Sequence, residues 1–254
     1  MIQSIDRAAR ILSLLQGARR LGISEFAVAL DLPPSTVHGL VKSLQEHGLV
    51  IQEARGSRYA LGPALLTLSS VYLDTLDVRA RSLRRMHDLS HRTGLACRLG
   101  VAHNTDVLVI HHDRRPDGTE QMPETGITLP AHASALGKVL LAYDDDIRTE
   151  VLAHPLADLT GDTVTDTAAL QEQLIVVRDG ALATENEEAV IGDASVAVPV
   201  AGEDGTVIAA LGVVFPAPAS ELDAAVLKEL RDAAQAISRD LGAPSWPPRA
   251  GAAV

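Results

Sequence analysis

Residues Leu32–Val50 read LPPSTVHGLVKSLQEHGLV, and this stretch decides the fold of the N-terminal region. Its two prolines precede a helical pattern, because Pro34 fits a first helical turn, where the missing N–H has no intrahelical partner. Ser35 and Thr36 then fall in that first turn. The apolar residues recur at the spacing of one buried helix face, at Val37, Leu40, Val41 and Leu44.

The opposite face of this predicted helix is short, polar or basic, and it has no carboxylate before Glu46. Carboxylates on a helix in the DNA major groove would be repelled by phosphates, so their absence favours DNA contact. The alternative is a solvated face in a helical domain that binds nothing. The candidate DNA-contacting residues of the helix are Ser35, Thr36, His38, Gly39, Lys42 and Ser43.

The flanking residues complete a winged helix-turn-helix pattern. An apolar stripe from Ile5 to Leu15 predicts a first helix, and Ser24 is the expected N-cap of a short second helix. After the third helix, two short apolar runs flank a glycine-containing turn, which predicts a β-hairpin wing. Its arginines, Arg55 and Arg58, are candidates for phosphate or minor-groove contact.

Charge is unevenly distributed along the chain of 254 residues. The formal net charge is −11, but residues 1–60 hold seven Lys/Arg against five Asp/Glu, a balance of +2, which leaves −13 for the remainder. A mildly basic N-terminal segment followed by a strongly acidic remainder indicates that only residues 1–60 bind a polyanion. The alternative is chance variation in a short segment. Aromatic residues make up only 2% of the chain, which disfavours stacking platforms for single-stranded nucleic acid.

The body of the chain has the pattern of an α+β domain on one sheet. The pattern of residues 62–93 predicts two helices, which we interpret as a linker and a surface for self-association. Alternating apolar runs predict strands at 96–103, 106–113, 194–201 and 206–215. Further helices are expected at 134–143, 145–153, 167–179 and 221–241.

Six stretches carry more specific motifs, and they are SIDRAARIL, LPPSTVHGLVKSL, RYALG, LPAHASALGKVLLA, ATENEEAVIGDASVAVPV and GTVIAALGVVFP. Through them the chain resembles the IclR family of bacterial transcription regulators along nearly its whole length. The resemblance implies a winged helix-turn-helix at 1–61, a helical linker at 62–93 and a C-terminal effector-binding domain, similar to GAF and PAS modules, at 94–243. The tail at 244–254 is expected to be disordered.

Four further stretches, YLDTLDVRAR, VLVIHHDRRPD, ALGKVLLAYD and AISRDLGA, look most like the glycerol-operon regulators of actinomycetes within that family. This narrower resemblance implies a glycerol-derived effector such as glycerol 3-phosphate. One departure concerns the recognition helix, where His38 and Gly39 replace a more usual arginine-containing pair. No operator sequence is therefore carried over from the family.

The effector site implied by the resemblance surrounds a helix that begins at Ser134. Free N–H groups and the dipole at a helix start favour a small carboxylate or phosphate. Glu185 and Asp193 suit a hydroxyl-rich ligand better, since carboxylates accept hydrogen bonds from hydroxyls. The alternative is that Glu185, Glu187 and Glu188 form a solvated loop. The helix start makes Ser134 a candidate effector residue. The family's ligand contacts, carried onto matching positions, add Ala135, Leu136, Glu185, Asp193, Ser195, Gly212 and Val214.

Other constellations point away from catalysis and metal binding, and no cofactor is expected. His87 and His91 lie at i, i+4 in a helical pattern, but no third ligand is evident, so a surface pair is expected. Ser134 and Lys138 are one residue too far apart for a Ser-x-x-Lys motif, and Lys138 is expected at the surface. Cys97, the lone cysteine, is expected to be a buried small hydrophobe.

The leading hypothesis is a ligand-responsive transcription regulator of the cytoplasm, a repressor of a catabolic operon. Its expected partners are a double-stranded DNA operator, a small-molecule effector and further copies of the chain, as dimer or tetramer, with the apolar stripe from Leu65 to Leu76 in the contact. No membrane is expected, since no window has the apolar length of a spanning helix. The alternative is a metal-dependent sensor or enzyme that carries the helix-turn-helix as an appendage.

Overall fold

The computed structural model describes residues 2–54, 56–217 and 223–248. The chain divides into two compact units, Met1–Thr75 and Leu76–Val254. This division lies inside the segment 62–93, for which a single linker is expected, so the two helices of that segment belong to different units. Arg55, one of the two predicted wing arginines, lies outside the described residues.

The first unit is a winged helix-turn-helix. Its helices are α1 (Gln3–Ala18), α2 (Ile23–Leu30), α3 (Pro34–Glu46) and α4 (Ala64–Asp74), and its strands are β1 (Leu21–Gly22), β2 (Val50–Gln52) and β3 (Arg58–Leu61). The strands form an antiparallel sheet in the order β1-β3-β2. Helices α1 to α3 and this sheet enclose a core that includes Phe26 and Tyr59. The predicted inner face of α3 is confirmed, because Val37, Val41 and Leu44 are buried.

Ser24 does not cap α2, so the N-cap expected from the sequence is wrong. The N-cap is Gly22, an extended residue that also ends β1, and Ser24 lies in the first helical turn. The Gly22 N–H donates to a carboxylate oxygen of Glu25 at 2.7 Å. A carboxylate three residues further on therefore satisfies the N–H at the helix start, as in a capping box.

The second unit is an α+β domain built on one six-stranded antiparallel sheet. Its strands are β4 (Ala96–His103), β5 (Asp106–Asp113), β6 (Thr128–Pro130), β7 (Ala183–Asn186), β8 (Asp193–Ala201) and β9 (Val207–Pro216), in the order β6-β5-β4-β9-β8-β7. Its helices are α5 (Asp77–Thr93), α6 (Ala135–Tyr143), α7 (Asp145–Leu152), α8 (Thr167–Gly180) and α9 (Ala224–Asp240). The predicted α+β class is confirmed, and β6 and β7 are additional strands.

Helices cover both faces of this sheet. Helices α5 and α9 pack on each other, with α5 against β4 and β5 and α9 against β8 and β9. Helix α6 packs against the sheet and against α8, and it shares one core with Val109, Ala197 and Ala210. Because neighbouring residues of a strand point to opposite faces, cover on both faces buries β8 almost along its whole length and β9 over its central residues, Ala209–Val214.

Two glycines let the start of α6 approach its neighbours closely. A Cβ atom at Gly137 would lie 2.2 Å from the Ala131 carbonyl oxygen, and one at Gly212 would lie 3.2 Å from a Leu136 methyl carbon. A side chain at Gly137 would therefore force α6 away from the preceding loop. The glycines hold the first turn of α6 against β9, at the place where the effector site is expected.

The segment 244–248 is ordered on the second unit, which differs from the disorder expected for 244–254. The Trp246 indole N–H donates to the Pro199 carbonyl oxygen at 2.9 Å, and Pro248 is buried. Residues 249–254 lie outside the described part of the chain. Among the helices that the structure describes, none is both long enough and apolar enough to cross a membrane.

Candidate functional site

The outer face of α3 is available for contact along its length. Pro34 opens the helix, and the first turn carries no acidic residue. Thr36 is half-buried, and the remaining predicted contact residues are exposed, namely Ser35, His38, Gly39, Lys42 and Ser43. The geometry therefore brings the six residues predicted for this helix onto one surface.

The wing carries Arg58, which is held by an ion pair instead of pointing freely to solvent. Arg58 Nη2 lies 3.3 Å from Glu25 Oε1, and Glu25 also caps the start of α2. A second ion pair joins Arg20 to Glu53 at 2.9 Å. Both arginine side chains are more than half exposed, so each pair is worth at most about 1 kcal/mol. The Arg58–Glu25 pair links the wing to the first turn of α2 without removing Arg58 from the surface.

A cavity of about 200 Å³ lies in the second unit between the sheet and the start of α6. Seven of the eight predicted effector residues line it, and they are Ser134, Leu136, Glu185, Asp193, Ser195, Gly212 and Val214. The eighth, Ala135, does not line the cavity, because it is fully buried in the core around α6. The structure thus collects residues from four separate stretches of sequence at one place.

Further lining residues come from positions that the sequence reasoning missed. Arg98 is a charged residue inside the apolar strand β4, a signal that the sequence does contain. Glu124 lies in the irregular segment between β5 and β6, and no pattern marks it. The remaining missed residues are Ile127, Leu129, Ala189, Val190, Val196 and Ala197. These are apolar, so the polar contacts of the cavity come from few groups.

Ser134 is the N-cap of α6, as predicted. Its hydroxyl accepts a hydrogen bond from the Gly137 N–H at 3.1 Å and donates to the Pro130 carbonyl oxygen at 3.0 Å. The side chain is buried, so both bonds are made away from bulk water. The cap fixes the first turn of α6 at the edge of the cavity.

Glu185 and Ser195 face each other across the β7–β8 pair. The Ser195 hydroxyl donates to Glu185 Oε1 at 2.7 Å, and the Glu188 N–H donates to Glu185 Oε2 at 3.3 Å. Burial raises the pKa of Glu185 despite these hydrogen bonds. Glu185 and Glu188 are both buried, so the alternative of a solvated loop does not hold for them.

Lys138 is almost completely buried, so its expected surface position is wrong. Its Nζ atom donates to Glu188 Oε1 at 2.5 Å and to the Thr184 carbonyl oxygen at 3.4 Å. Helix α6 lies between the sheet and α8, which leaves its lysine no exposed face. The ammonium group needs a partner there because a buried charge without one is strongly unfavourable. Glu188 supplies that partner.

Arg98 and Glu124 form a two-pronged ion pair at the border of the cavity. Arg98 Nε and Nη2 donate to the two carboxylate oxygens at 2.5 and 2.7 Å. Burial opposes ionisation of Glu124, but Arg98, together with His112, outweighs it and lowers the pKa of Glu124. Asp193 Oδ2 lies 3.7 Å from Arg98 Nη2. The guanidinium therefore balances carboxylates from two different segments.

The other singled-out side chains stand apart from the cavity. Cys97 is fully buried, as predicted, and burial together with Asp113 raises the pKa of its thiol. His87 and His91 are exposed on α5, with ring centroids 4.4 Å apart. Within residues 2–54, 56–217 and 223–248, no group of His, Cys, Asp and Glu has the arrangement of a metal site.

A winged helix-turn-helix followed by a domain with a cavity lined by convergent polar groups defines a class of proteins, the DNA-binding regulators that respond to small molecules. Residues 4–54 match the IclR helix-turn-helix domain, and residues 70–239 match the domain described as bacterial transcriptional regulator IclR C-terminal. The chain belongs to the IclR family of bacterial transcription regulators.

The relatives of the chain agree with this assignment. It is 45% identical over 251 residues to the glycerol operon regulatory protein of Streptomyces griseus, covering 95% of this chain and 97% of the relative. It is 39% identical over 247 residues to the protein of the same name from Streptomyces coelicolor, again covering 95% and 97%.

Solved structures show the same architecture. A regulator from a Silicibacter species superposes with a TM-score of 0.81 at 27% identity, over 97% of this chain and 99% of the other. An IclR homologue from Microbacterium hydrocarbonoxydans, solved as a complex with 4-hydroxybenzoate, gives a TM-score of 0.79 at 27% identity, over 94% of this chain and 98% of the other. A protein of this fold is therefore known with a small molecule bound.

Proposed function

We propose that this protein is a repressor of a catabolic operon, acts in the cytoplasm, and is released or retuned by a small hydroxyl-bearing effector. The observation that carries the proposal is the pair Glu185 and Ser195, which are hydrogen-bonded, buried polar neighbours in the lining of the cavity. A carboxylate and a hydroxyl placed in this way accept and donate hydrogen bonds to a hydroxylated ligand. The name of the two Streptomyces relatives supports a glycerol-derived effector.

The proposed DNA contacts lie on α3 and the wing. Ser35, Thr36 and His38 are near the N-terminus of α3, the part of a recognition helix that contacts base edges. Lys42 and Arg58 contact phosphates, Arg58 by exchanging Glu25 for the DNA backbone. The remaining proposed contacts are Gly39, Ser43 and Arg55. Base readout comes from short polar side chains and phosphate neutralisation from the basic ones.

Self-association is proposed through the exposed apolar side chains of α4. No side chain of Ala64–Asp74 is buried, and Leu66 is 71% and Val71 61% exposed. The exposed apolar side chains of this helix stay in contact with water, which is unfavourable, unless a partner covers them. A second copy is the natural partner, because a dimer reads two operator half-sites and a single helix-turn-helix offers little surface. Pairing of effector domains would extend the dimer to a tetramer.

The cavity binds without catalysis in this proposal. Ser195 donates to a carboxylate whose raised pKa reflects burial, and the Ser134 hydroxyl is engaged in capping α6. Each polar group therefore already serves recognition or structure. A metal-dependent sensor or an enzyme remains the alternative class. Recovery of unchanged effector after prolonged incubation with the protein distinguishes regulation from turnover.

The test is an anisotropy titration of the full-length protein on labelled duplex DNA from upstream of its own gene. Glycerol, glycerate and glycerol 3-phosphate are added in turn. At least one is expected to change the affinity about five- to 150-fold, the usual range of coupling between two sites. Random duplex of the same length serves as the control. Tight binding of a probe without any change in DNA affinity would contradict the proposal.

A further inference from the structure

The ion pair Arg98–Glu124 separates the effector cavity from a second cavity. This second cavity measures about 210 Å³ and is lined by Arg98, His112, Arg115, Glu124 and Asp193 among others. Arg98, Glu124 and Asp193 also line the first cavity. The two spaces therefore meet at the same charged side chains, and these side chains form the partition between them.

The two halves of this partition differ in how firmly the fold holds them. Arg98 lies on β4, paired on one side with His112 of β5 and on the other with Gly212 of β9. Glu124 lies in the segment 114–127, which has no helix or regular strand. The Arg98 side chain is 12% exposed and that of Glu124 23%. Arg98 is thus a cation held by the sheet on both sides, and Glu124 lies on a segment outside the regular strands.

The segment 114–127 has anchors that do not involve the Glu124 carboxylate, among them a hydrogen bond from the Glu124 N–H to His112 Nδ1 at 3.3 Å. The Gln121 side chain exchanges hydrogen bonds with the backbone of Arg115, and the Gly126 N–H donates to the Val109 carbonyl oxygen at 2.7 Å. These bonds lie on either side of Glu124 in sequence. A rotation of the Glu124 side chain therefore breaks its bonds to Arg98 and its 3.5 Å contact with His112, which loosens the segment without detaching it from the sheet.

We propose that Glu124 occupies the place of an anionic ligand group, and that an effector with a carboxylate or phosphate displaces it from Arg98. The guanidinium fork binds carboxylate and phosphate with the same two-pronged geometry, so the exchange keeps both hydrogen bonds. Displacement joins the two cavities into one site. The hydroxyl groups of the effector reach Glu185 and Ser195, and its anionic group lies at Arg98. This inference rests on the proposed effector site.

The negative charges that line the first cavity repel an anionic ligand, so Glu124 has to move before such a ligand binds. Three carboxylates, Glu124, Glu185 and Asp193, line the first cavity with Arg98 as the one cation among its lining residues. An anion that entered with Glu124 in place would add to this excess of negative charge at short range. Moving Glu124 towards solvent removes one of these charges and leaves Arg98 for the ligand. A neutral polyol needs no such exchange and leaves the ion pair intact.

The experiment compares glycerol, glycerate and glycerol 3-phosphate by titration calorimetry on the full-length protein and three variants. Glu124→Gln removes the competing charge and is expected to bind at least one anionic probe about tenfold more tightly, or about 1.4 kcal/mol. Arg98→Met is expected to lose that binding. Glu120→Gln, on the same segment but exposed, is the matched control and keeps the wild-type affinity. The affinity for glycerol is expected to be the same in Glu124→Gln as in the wild-type protein.

A second measurement does not depend on the folding of Arg98→Met. Trypsin cleavage after Arg114, which unlike Arg115 is not followed by a proline, reports on the segment that carries Glu124, and the anionic probe is expected to accelerate it while glycerol does not. Unchanged or weaker anion affinity in Glu124→Gln overturns the inference, as does failure of both anions to bind this variant. If glycerol alone binds and shifts operator affinity, the inference fails and the proposed function stands. If a probe binds as inferred without altering operator affinity, the proposed function fails.

Discussion

Lys138 Nζ lies 2.5 Å from Glu188 Oε1 in a buried ion pair that joins α6 to the segment between β7 and β8. The second carboxylate oxygen of Glu188 is buried and has no hydrogen-bond partner among the described residues. The carboxylate therefore depends on a single partner for its charge. Both ends of this pair lie next to residues that line the effector cavity, Glu185 and Leu136.

Breaking this pair is expected to destabilise the protein strongly. Lys138→Met leaves the Glu188 carboxylate buried without a counter-charge, which costs about 3–5 kcal/mol of unfolding free energy. The double variant Lys138→Met/Glu188→Leu is expected to recover most of that loss, because it removes both charges together. Urea denaturation of the three proteins measures the effect. A loss that is equal in the single and double variants would show that packing of Lys138, and not its charge, matters.

Substitutions of Arg58 and of its partner Glu25 are expected to change DNA affinity in opposite directions. Arg58→Ala is expected to weaken binding to all duplex sequences and to lower the salt slope by about one, if Arg58 neutralises one phosphate. Glu25→Gln frees Arg58 from its ion pair and is expected to strengthen binding to random duplex. Anisotropy titrations across a salt series check both changes. Identical salt slopes for wild type and Arg58→Ala would place Arg58 away from the phosphates.

Filling the cavity is expected to uncouple the effector from DNA binding. Ser195→Leu removes a hydroxyl that lines the cavity and places an apolar side chain in the ligand space. The ligand response, of about 1–3 kcal/mol in coupling free energy, should vanish while ligand-free operator affinity stays near the wild-type value. Ser43→Ala on α3 is the contrasting variant, with the ligand response kept. A normal response in Ser195→Leu would locate the effector elsewhere.

Stability should depend on pH through Glu185. Burial raises the pKa of this carboxyl in the folded protein above its ordinary value of 4.5. Between these two values the folded state binds more protons than the unfolded state, so this group makes stability fall as pH rises. Glu185→Gln lacks the effect, and its stability relative to wild type is expected to increase from pH 4.5 upward and then level off. Urea denaturation over a pH series measures the difference, and a decrease would contradict the sign.

The apolar face of α4 predicts a change in association. Leu66→Glu places a charge at a side chain that is 71% exposed, so it leaves the folded monomer intact. The charge is expected to weaken the proposed dimer by a factor of ten or more, about 1.4 kcal/mol. Sedimentation equilibrium at micromolar concentration gives the dissociation constant. Thr67→Glu, also exposed on α4, tests whether the apolar face itself is responsible.

Much of the fold follows from local patterns in the sequence. Strands β4 and β5 have the predicted bounds, and α6 begins after Ser134 as its capping residue suggests, because alternation and capping act over a few residues. Strands β6 and β7 were missed because each has only three or four residues and so gives too short a pattern. Their positions depend on pairing with β5 and β8, which is tertiary information.

The same limit applies to the cavity. The resemblance to a known family supplied residues from distant stretches, and the structure places six of them, together with Ser134, around one space. Lys138 was misplaced because its partner Glu188 lies 50 positions away, and the ion pair Arg98–Glu124 spans 26 positions. Local periodicity of the sequence cannot predict pairs between residues so far apart along the chain. The charged residue inside β4 was a visible signal, but only the fold reveals what it faces.

The hydrogen bond from Trp246 to Pro199 makes the chain's single tryptophan a built-in fluorescent reporter of the effector domain. Its fluorescence emission changes when β8, where Pro199 lies, unfolds. The winged helix-turn-helix contains no tryptophan and does not contribute to this signal. Far-ultraviolet circular dichroism, in contrast, records the helices of both units. Following one denaturation with both signals therefore separates the melting of the ligand-sensing domain from that of the whole chain, without any added label.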